Sequence, residues 1–125
     1  MSKTAVIVMS DPKDGGEEAL GRLFNALVTA YDAKQQGDEV AVYFHGTGTR
    51  WTGLITDPKH PLNALYESVK DRIVGASCGC ADVFGAATAA KDNGFRLLSE
   101  SAIPGTSGLP SIAKRLAEGY RVVTF

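Results

Sequence analysis

Ala5-Val6-Ile7-Val8-Met9, ended by Ser10-Asp11-Pro12, is the stretch on which the fold turns. Five consecutive apolar residues, three of them β-branched, leave no polar face. That is the pattern of a strand covered on both sides, as the central strand of a parallel sheet is. The next forty residues agree with it. Asp14-Gly15-Gly16-Glu17 has capping-box spacing, and Leu20, Leu23, Phe24, Leu27, Val28 and Tyr31 recur with the helical period, so the spacing predicts an amphipathic helix ended near Gly37. Val40-Ala41-Val42-Tyr43-Phe44 repeats the buried-strand pattern and stops at His45-Gly46-Thr47-Gly48. Strand, helix and strand make a βαβ unit with a right-handed crossover.

Beyond that unit, the stretch from Thr49 to His60 holds Trp51 and Asp57-Pro58 without clear period, and is expected to be a long functional loop with one helical turn. Pro61 is expected to open a second helix with Leu62, Leu65, Tyr66 and Val69 as its stripe. Ile73-Val74-Gly75-Ala76 predicts a third strand, and Ser77-Cys78-Gly79-Cys80 the turn after it. Small residues from Ala81 to Asp92 predict one helix packed closely on the sheet and stopped by Asn93-Gly94. A fourth strand is expected over Phe95 to Leu98. A Gly/Pro/Ser loop from Ser99 to Gly108 then precedes a helix around Pro110 to Glu118 with Ile112 and Leu116 on one side, and a fifth strand over Tyr120 to Phe125. Five strands alternating with four helices predict the α/β class: one domain over residues 1–125, a three-layer α/β/α sandwich with an open, mainly parallel five-stranded sheet.

The length of 125 residues allows a single core. Thirteen Lys and Arg against fourteen Asp and Glu give a net charge of −1 with both signs scattered, so no basic field exists to grip nucleic acid or anionic lipid. No apolar run approaches the roughly 20 residues of a membrane span, and Met1-Ser2-Lys3-Thr4 has no signal-peptide layout, so the cytoplasm is the expected location. Cys78 and Cys80 sit too close together to staple a fold. In a reducing compartment such a pair points to redox, metal-binding or catalytic chemistry.

An open parallel sheet binds ligands beyond the carboxyl ends of its strands. That selects Ser10 and Asp11 after the first strand, His45 after the second, Cys78 and Cys80 after the third, and Ser99 and Glu100 after the fourth. The Cys-Gly-Cys turn precedes a helix, whose free N–H groups and dipole favour thiolate over thiol, and thiolate is the reactive form. Cys80 and Cys78 are therefore the candidate catalytic residues, with small buried hydrophobes as the alternative for either. Asp11, His45 and Trp51 are expected to bind substrate by lining the approach to Cys80. His45 would act as acid/base or orienting group and Trp51 as a roof, against the plainer roles of a backbone-bonded histidine and a core-covering indole. Only His45 and His60 could join the sulfurs around zinc, and the second paired knuckle is missing, so no metal is expected. Gly46-Thr47-Gly48 lacks the rest of either phosphate-loop fingerprint, so no nucleotide or other cofactor is expected.

Taken together, Asp11-Pro12 after the opening strand, Val42 through Gly48, Gly75-Ala76 through Cys80-Ala81-Asp82-Val83-Phe84-Gly85, and the ending Leu116 through Phe125 resemble the DsrE/DsrF-like family of small sulfur-relay proteins over nearly the whole chain. The resemblance implies a three-layer α/β fold, frequent homo- or hetero-oligomers, and a cysteine that takes sulfane sulfur as a persulfide and passes it on. Relatives carry a Cys-x-x-Cys-Ala spacing, where this chain has Ser77 at the first place, Cys80 at the second and an additional Cys78. The resemblance thus carries the acceptor role to Cys80 and leaves Cys78 open. It implies a sulfur donor or acceptor protein, or a small thiol, as partner, and a carrier more than a turnover enzyme. The reading from another class is a non-catalytic module that binds a small ligand or protein in the same crevice. A dithiol switch is a third, its small ring strained. A homo-oligomer is expected because the sheet leaves two edges open and Trp51, Ile55, Tyr66 and Phe125 have no evident internal place.

Overall fold

The structure, a computed structural model, describes residues 2–125; Met1, the first residue of the expected domain and of its N-terminal stretch, lies outside them. Five strands form the sheet: β1 Lys3–Val8, β2 Glu39–Phe44, β3 Ile73–Ser77, β4 Leu97–Leu98 and β5 Arg121–Thr124. Their order across the sheet is β4-β3-β2-β1-β5, and every pairing is parallel. The helices are α1 Gly16–Gln35, α2 Asn63–Val69, α3 Cys78–Val83, α4 Ala87–Asp92 and α5 Ile112–Ala117, with 3-10 helices at Gly46–Gly53 and Lys70–Arg72. The open α/β sandwich expected from the sequence is the architecture observed.

Strand order explains the layers. From β1 to β4 the chain steps in one direction, so right-handed crossovers set α1 to α4 on one face, and the return from β4 to β5 sets α5 on the other. The first face holds the larger core, where Val6, Val8, Val42 and Phe44 meet Leu23, Leu27, Trp51, Ile55, Tyr66 and Val69. The second is thin: Ala5, Ile7, Ala41 and Tyr43 are covered by Ile112, Tyr120, Leu98 and neighbours.

Several local expectations change. On α1 the buried residues are Ala19, Leu23, Ala26, Leu27, Ala30 and Ala33, whereas Phe24 is 48% exposed and Tyr31 also faces outward. The helix is rotated so that alanines meet the branched side chains of the sheet, because a methyl lets the axis come closer than a ring. Asp14 does not cap it. Gly15 is the N-cap without a side-chain bond, and Asp11 orders the loop instead, its carbonyl taking the Gly15 N–H at 2.9 Å and its carboxylate the Lys13 N–H at 2.9 Å. The expected helix from Ala81 to Asp92 is two helices. Gly85 (φ 72°) turns left-handed and Ala86 N–H bonds back to the Ala81 carbonyl at 2.8 Å, a Schellman end that stops α3 after six residues. The stretch after β2 opens as a 3-10 helix over Gly46–Gly53. There Gly48 rests directly on the Val8 carbonyl, where a Cβ would collide. Leu116 does not join Ile112 on the inner side of α5 but is 57% exposed.

Trp51, Ile55 and Tyr66 lie in the main core, and Phe125 packs partly buried against it. Those four side chains therefore do have internal places, which corrects that part of the argument for a homo-oligomer. Tertiary packing gives each an internal place that the local sequence does not reveal.

Candidate functional site

The two cysteines begin α3. Ser77, the last residue of β3, is its N-cap, with Oγ accepting the Cys80 N–H at 3.2 Å, and Gly79 N–H donates to the Gly108 carbonyl at 2.7 Å. Two of the amides that the sequence pattern left free for an anion are thus already engaged. The glycine between the sulfurs has a steric reason: a Cβ on Gly79 would lie 2.8 Å from Leu109 Cδ1 and 3.0 Å from the Gly108 oxygen. Replacing Gly79 by alanine should push the loop after β4 off α3, costing about 1–3 kcal/mol as an overpacked contact. Hydrogen exchange checks it: amides from Ser101 to Leu109 should exchange faster, and unchanged protection would refute the contact's importance.

That loop meets α3 because the connections part there. β3 continues into α3 on one face and adjacent β4 continues toward α5 on the other, which puts the Cys turn at a topological switch point. Both thiols are half-buried and free. Ser107 Oγ lies 3.3 Å from Cys78 Sγ and is also hydrogen-bonded to Asp82 Oδ2. Asp82 is four residues on from Cys78, hence on the same side of α3. The loop is tied to itself by a two-bond bridge, Ser101 N–H to the Leu109 carbonyl at 2.8 Å and Leu109 N–H to the Ser101 carbonyl at 3.1 Å.

The other expected site residues are spread around this turn. Asp11 pairs with Arg50 (Oδ1 to Nη1 2.9 Å), and Arg50 Nε donates to the Phe84 carbonyl at 3.2 Å with its guanidinium over the Phe84 ring. Asp11 is therefore linked to the far end of α3, four residues past Cys80. The Lys13 amide and the Arg50 guanidinium hold the Asp11 carboxyl below the usual carboxylate range against a smaller desolvation effect. The hollow that takes in Asp11, about 310 Å³, is lined by Met9, Ser10, Glu18, Arg22 and Phe125. Trp51 is 3% exposed, its indole N–H shared between the Ser10 carbonyl (3.0 Å) and Ser10 Oγ (3.1 Å). It sits in the core rather than over a crevice. His60, beside the Trp51 ring, accepts the Leu62 N–H on Nδ1 at 3.1 Å.

His45 follows β2 at 5% exposure, its ring against Tyr43 and its Nε2 buried without a hydrogen-bond partner among the described residues. In the ladder it follows the Phe44–Ala76 pair, which places it beside Ser77, the cap of the cysteine helix. Desolvation pushes the His45 imidazole below its ordinary value, so the folded state binds its proton less readily than the unfolded chain does. The consequence for stability has a definite sign. The contribution is intact above the unfolded value of about 6.5 and is lost as pH falls below it. Denaturant midpoints should therefore drop as pH falls below about 6.5 in the wild-type chain, and much less in His45→Gln. Equal slopes for the two would rule His45 out as the cause.

Sequence reasoning missed Arg50, Asp82 and Ser107. Asp82 was within reach, since its i+4 spacing from Cys78 is a local signal. Arg50 and Ser107 carry none: their partners are 39 and 29 residues away.

The uncharacterized protein MJ0733 of Methanocaldococcus jannaschii is 30% identical over 101 residues, covering 81% of this chain and 78% of that protein. No solved structure gives a significant match. A parallel sheet with its cysteines at the carboxyl end of β3, together with a match to the family over residues 2–125, places the chain in the DsrE/DsrF-like family.

Proposed function

We propose that this chain is a persulfide carrier working in the cytoplasm, with Cys80 as the sulfur-accepting thiol and Cys78 as a second thiol beside it. Family membership supports a role in sulfur relay in general. The observation that carries the finer reading is the pair of half-buried free thiols in the first turn of α3, at the switch point of the sheet. A half-buried thiol is reachable by a donor yet partly screened from bulk reductant. In the loading step the Cys80 thiolate bonds to the terminal sulfur of a donor persulfide, the donor's sulfur–sulfur bond breaks, and the donor leaves as a thiolate. The terminal proton stays on the transferred sulfur, and no external oxidant or reductant is needed. A partner thiolate reverses the step to collect the sulfur. Donor and acceptor are thus thiol-bearing proteins or small thiols. Asp11 and His45 take supporting places, Asp11 through Arg50 at the end of α3 and His45 next to the Ser77 cap.

Intact-mass measurement tests this. The reduced chain, incubated with inorganic polysulfide and freed of donor, should gain about 32 Da per sulfur and lose it again to dithiothreitol. No gain, together with alkylation rates at neutral pH equal to those of an unstructured cysteine peptide, would discard the carrier reading.

A further inference from the structure

A carrier needs one thiol, and the second is a hazard. If Cys80 holds a persulfide, the Cys78 sulfur can bond to Cys80 Sγ. The bond from Cys80 Sγ to the terminal sulfur then breaks, and that sulfur leaves as hydrosulfide with the Cys78 proton. Cys78 is oxidised, the sulfane sulfur is reduced to sulfide, and the products are a Cys78–Cys80 disulfide and lost cargo. No other reagent is required.

The fold opposes this. Cys78 and Cys80 are both within α3, so their side chains are rotated by about 200° around the helix and leave from opposite sides. A disulfide needs Cβ atoms roughly 3.5–4.5 Å apart, so the first turn must unwind before the two sulfurs can join. Three contacts hold that turn: the Ser77 cap on Cys80 N–H at 3.2 Å, the Gly79 N–H to Gly108 carbonyl bond at 2.7 Å, and Ser107 against Cys78 Sγ at 3.3 Å. Two of the three come from the loop after β4. Ser107 has a single hydroxyl proton and two acceptors beside it, and the Asp82 carboxylate is the stronger. Ser107 therefore donates to Asp82 and turns an oxygen lone pair to Cys78, which holds that thiol on the side of α3 away from Cys80.

We infer that the loop from Ser99 to Leu109 is a latch on Cys78, and that Ser107 decides whether sulfur carried on Cys80 is kept for a partner or discharged as sulfide. The inference rests on the persulfide reading of Cys80. Ser107 is a positioning residue: it acts by holding Cys78 and takes no part in loading.

The experiment loads the wild-type chain, Cys78→Ala, Ser107→Ala, Ser107→Thr and the double variant Ser107→Ala/Cys78→Ala with limiting inorganic polysulfide, removes the donor, and follows retained mass and released sulfide together. Wild type, Cys78→Ala and Ser107→Thr should keep the increment of about 32 Da. Ser107→Ala should lose it, release an equivalent of sulfide and end about 2 Da lighter than the reduced chain, the mass of a disulfide. The double variant should keep its sulfur again, which a general loosening of the loop would not bring about. Retention by Ser107→Ala equal to wild type, or discharge by the double variant as fast as by Ser107→Ala, overturns the latch while leaving the carrier standing. Failure of every variant to load, Cys78→Ala included, overturns the carrier reading and the latch with it.

Discussion

Cys80→Ser should take up no sulfur: after incubation with polysulfide, its mass should stay that of the untreated variant, whereas Cys78→Ser should load like the wild type. The asymmetry follows from chemistry and placement. Sulfane sulfur is attacked by thiolate, and a serine hydroxyl stays protonated at neutral pH and does not replace it. The substitution changes little else, because Cys80 contributes its backbone N–H to the Ser77 cap and a serine keeps that bond. The two sulfurs also have different surroundings. Cys78 Sγ is engaged by Ser107 of the loop after β4, while no hydrogen bond is formed by Cys80 Sγ among the described residues. Uptake that follows Cys78 instead, surviving in Cys80→Ser and vanishing in Cys78→Ser, would move the acceptor role to the other thiol.

Trp51→Ala should cost about 3–5 kcal/mol of stability, a large part of the roughly 5–15 kcal/mol of a domain this size. Its indole is buried in the main core, and its N–H is satisfied by two oxygens of Ser10. Removing the ring leaves a cavity and strips Ser10 of its donor, both in the region that carries Asp11 into its pairing with Arg50. The midpoint of thermal unfolding should fall by on the order of 10 °C. Trp51→Phe separates the contributions, since it refills most of the space and forfeits only the N–H, at about 1–2 kcal/mol. Circular dichroism is the suitable probe, because Trp51 is the sole tryptophan and its loss removes the fluorescence signal. A Trp51→Ala chain within 1 kcal/mol of wild type, about the size of an ordinary surface substitution, would return Trp51 to the role of a lid over the crevice.

The β1-α1-β2 unit and the position of the cysteines after β3 were legible in the residues alone, for a shared reason. Whether a segment is buried on two faces, on one stripe or on neither is written in its own apolar period. In an all-parallel sheet the connectivity then puts every strand-end motif at the same edge. Which side of α1 faces the sheet was settled only by packing, because Phe24 and Tyr31 satisfy the helical period as well as Ala26, Ala30 and Ala33 do; the close branched surface of β1 and β2 selects the smaller residues. Packing also settled the fate of Trp51, which local pattern cannot tell from a binding-site aromatic until Ser10 is seen to accept its N–H. The company of the cysteines was settled in the same way. Ser107 reaches Cys78 across 29 residues because β4 is next to β3 and its connection leaves toward the opposite face, and Arg50 joins Asp11 to α3 by the same kind of convergence. Contacts of that kind depend on where loops come to rest against one another. No period in the chain encodes this, since each side chain involved is as well solvated in the unfolded chain as any other polar residue.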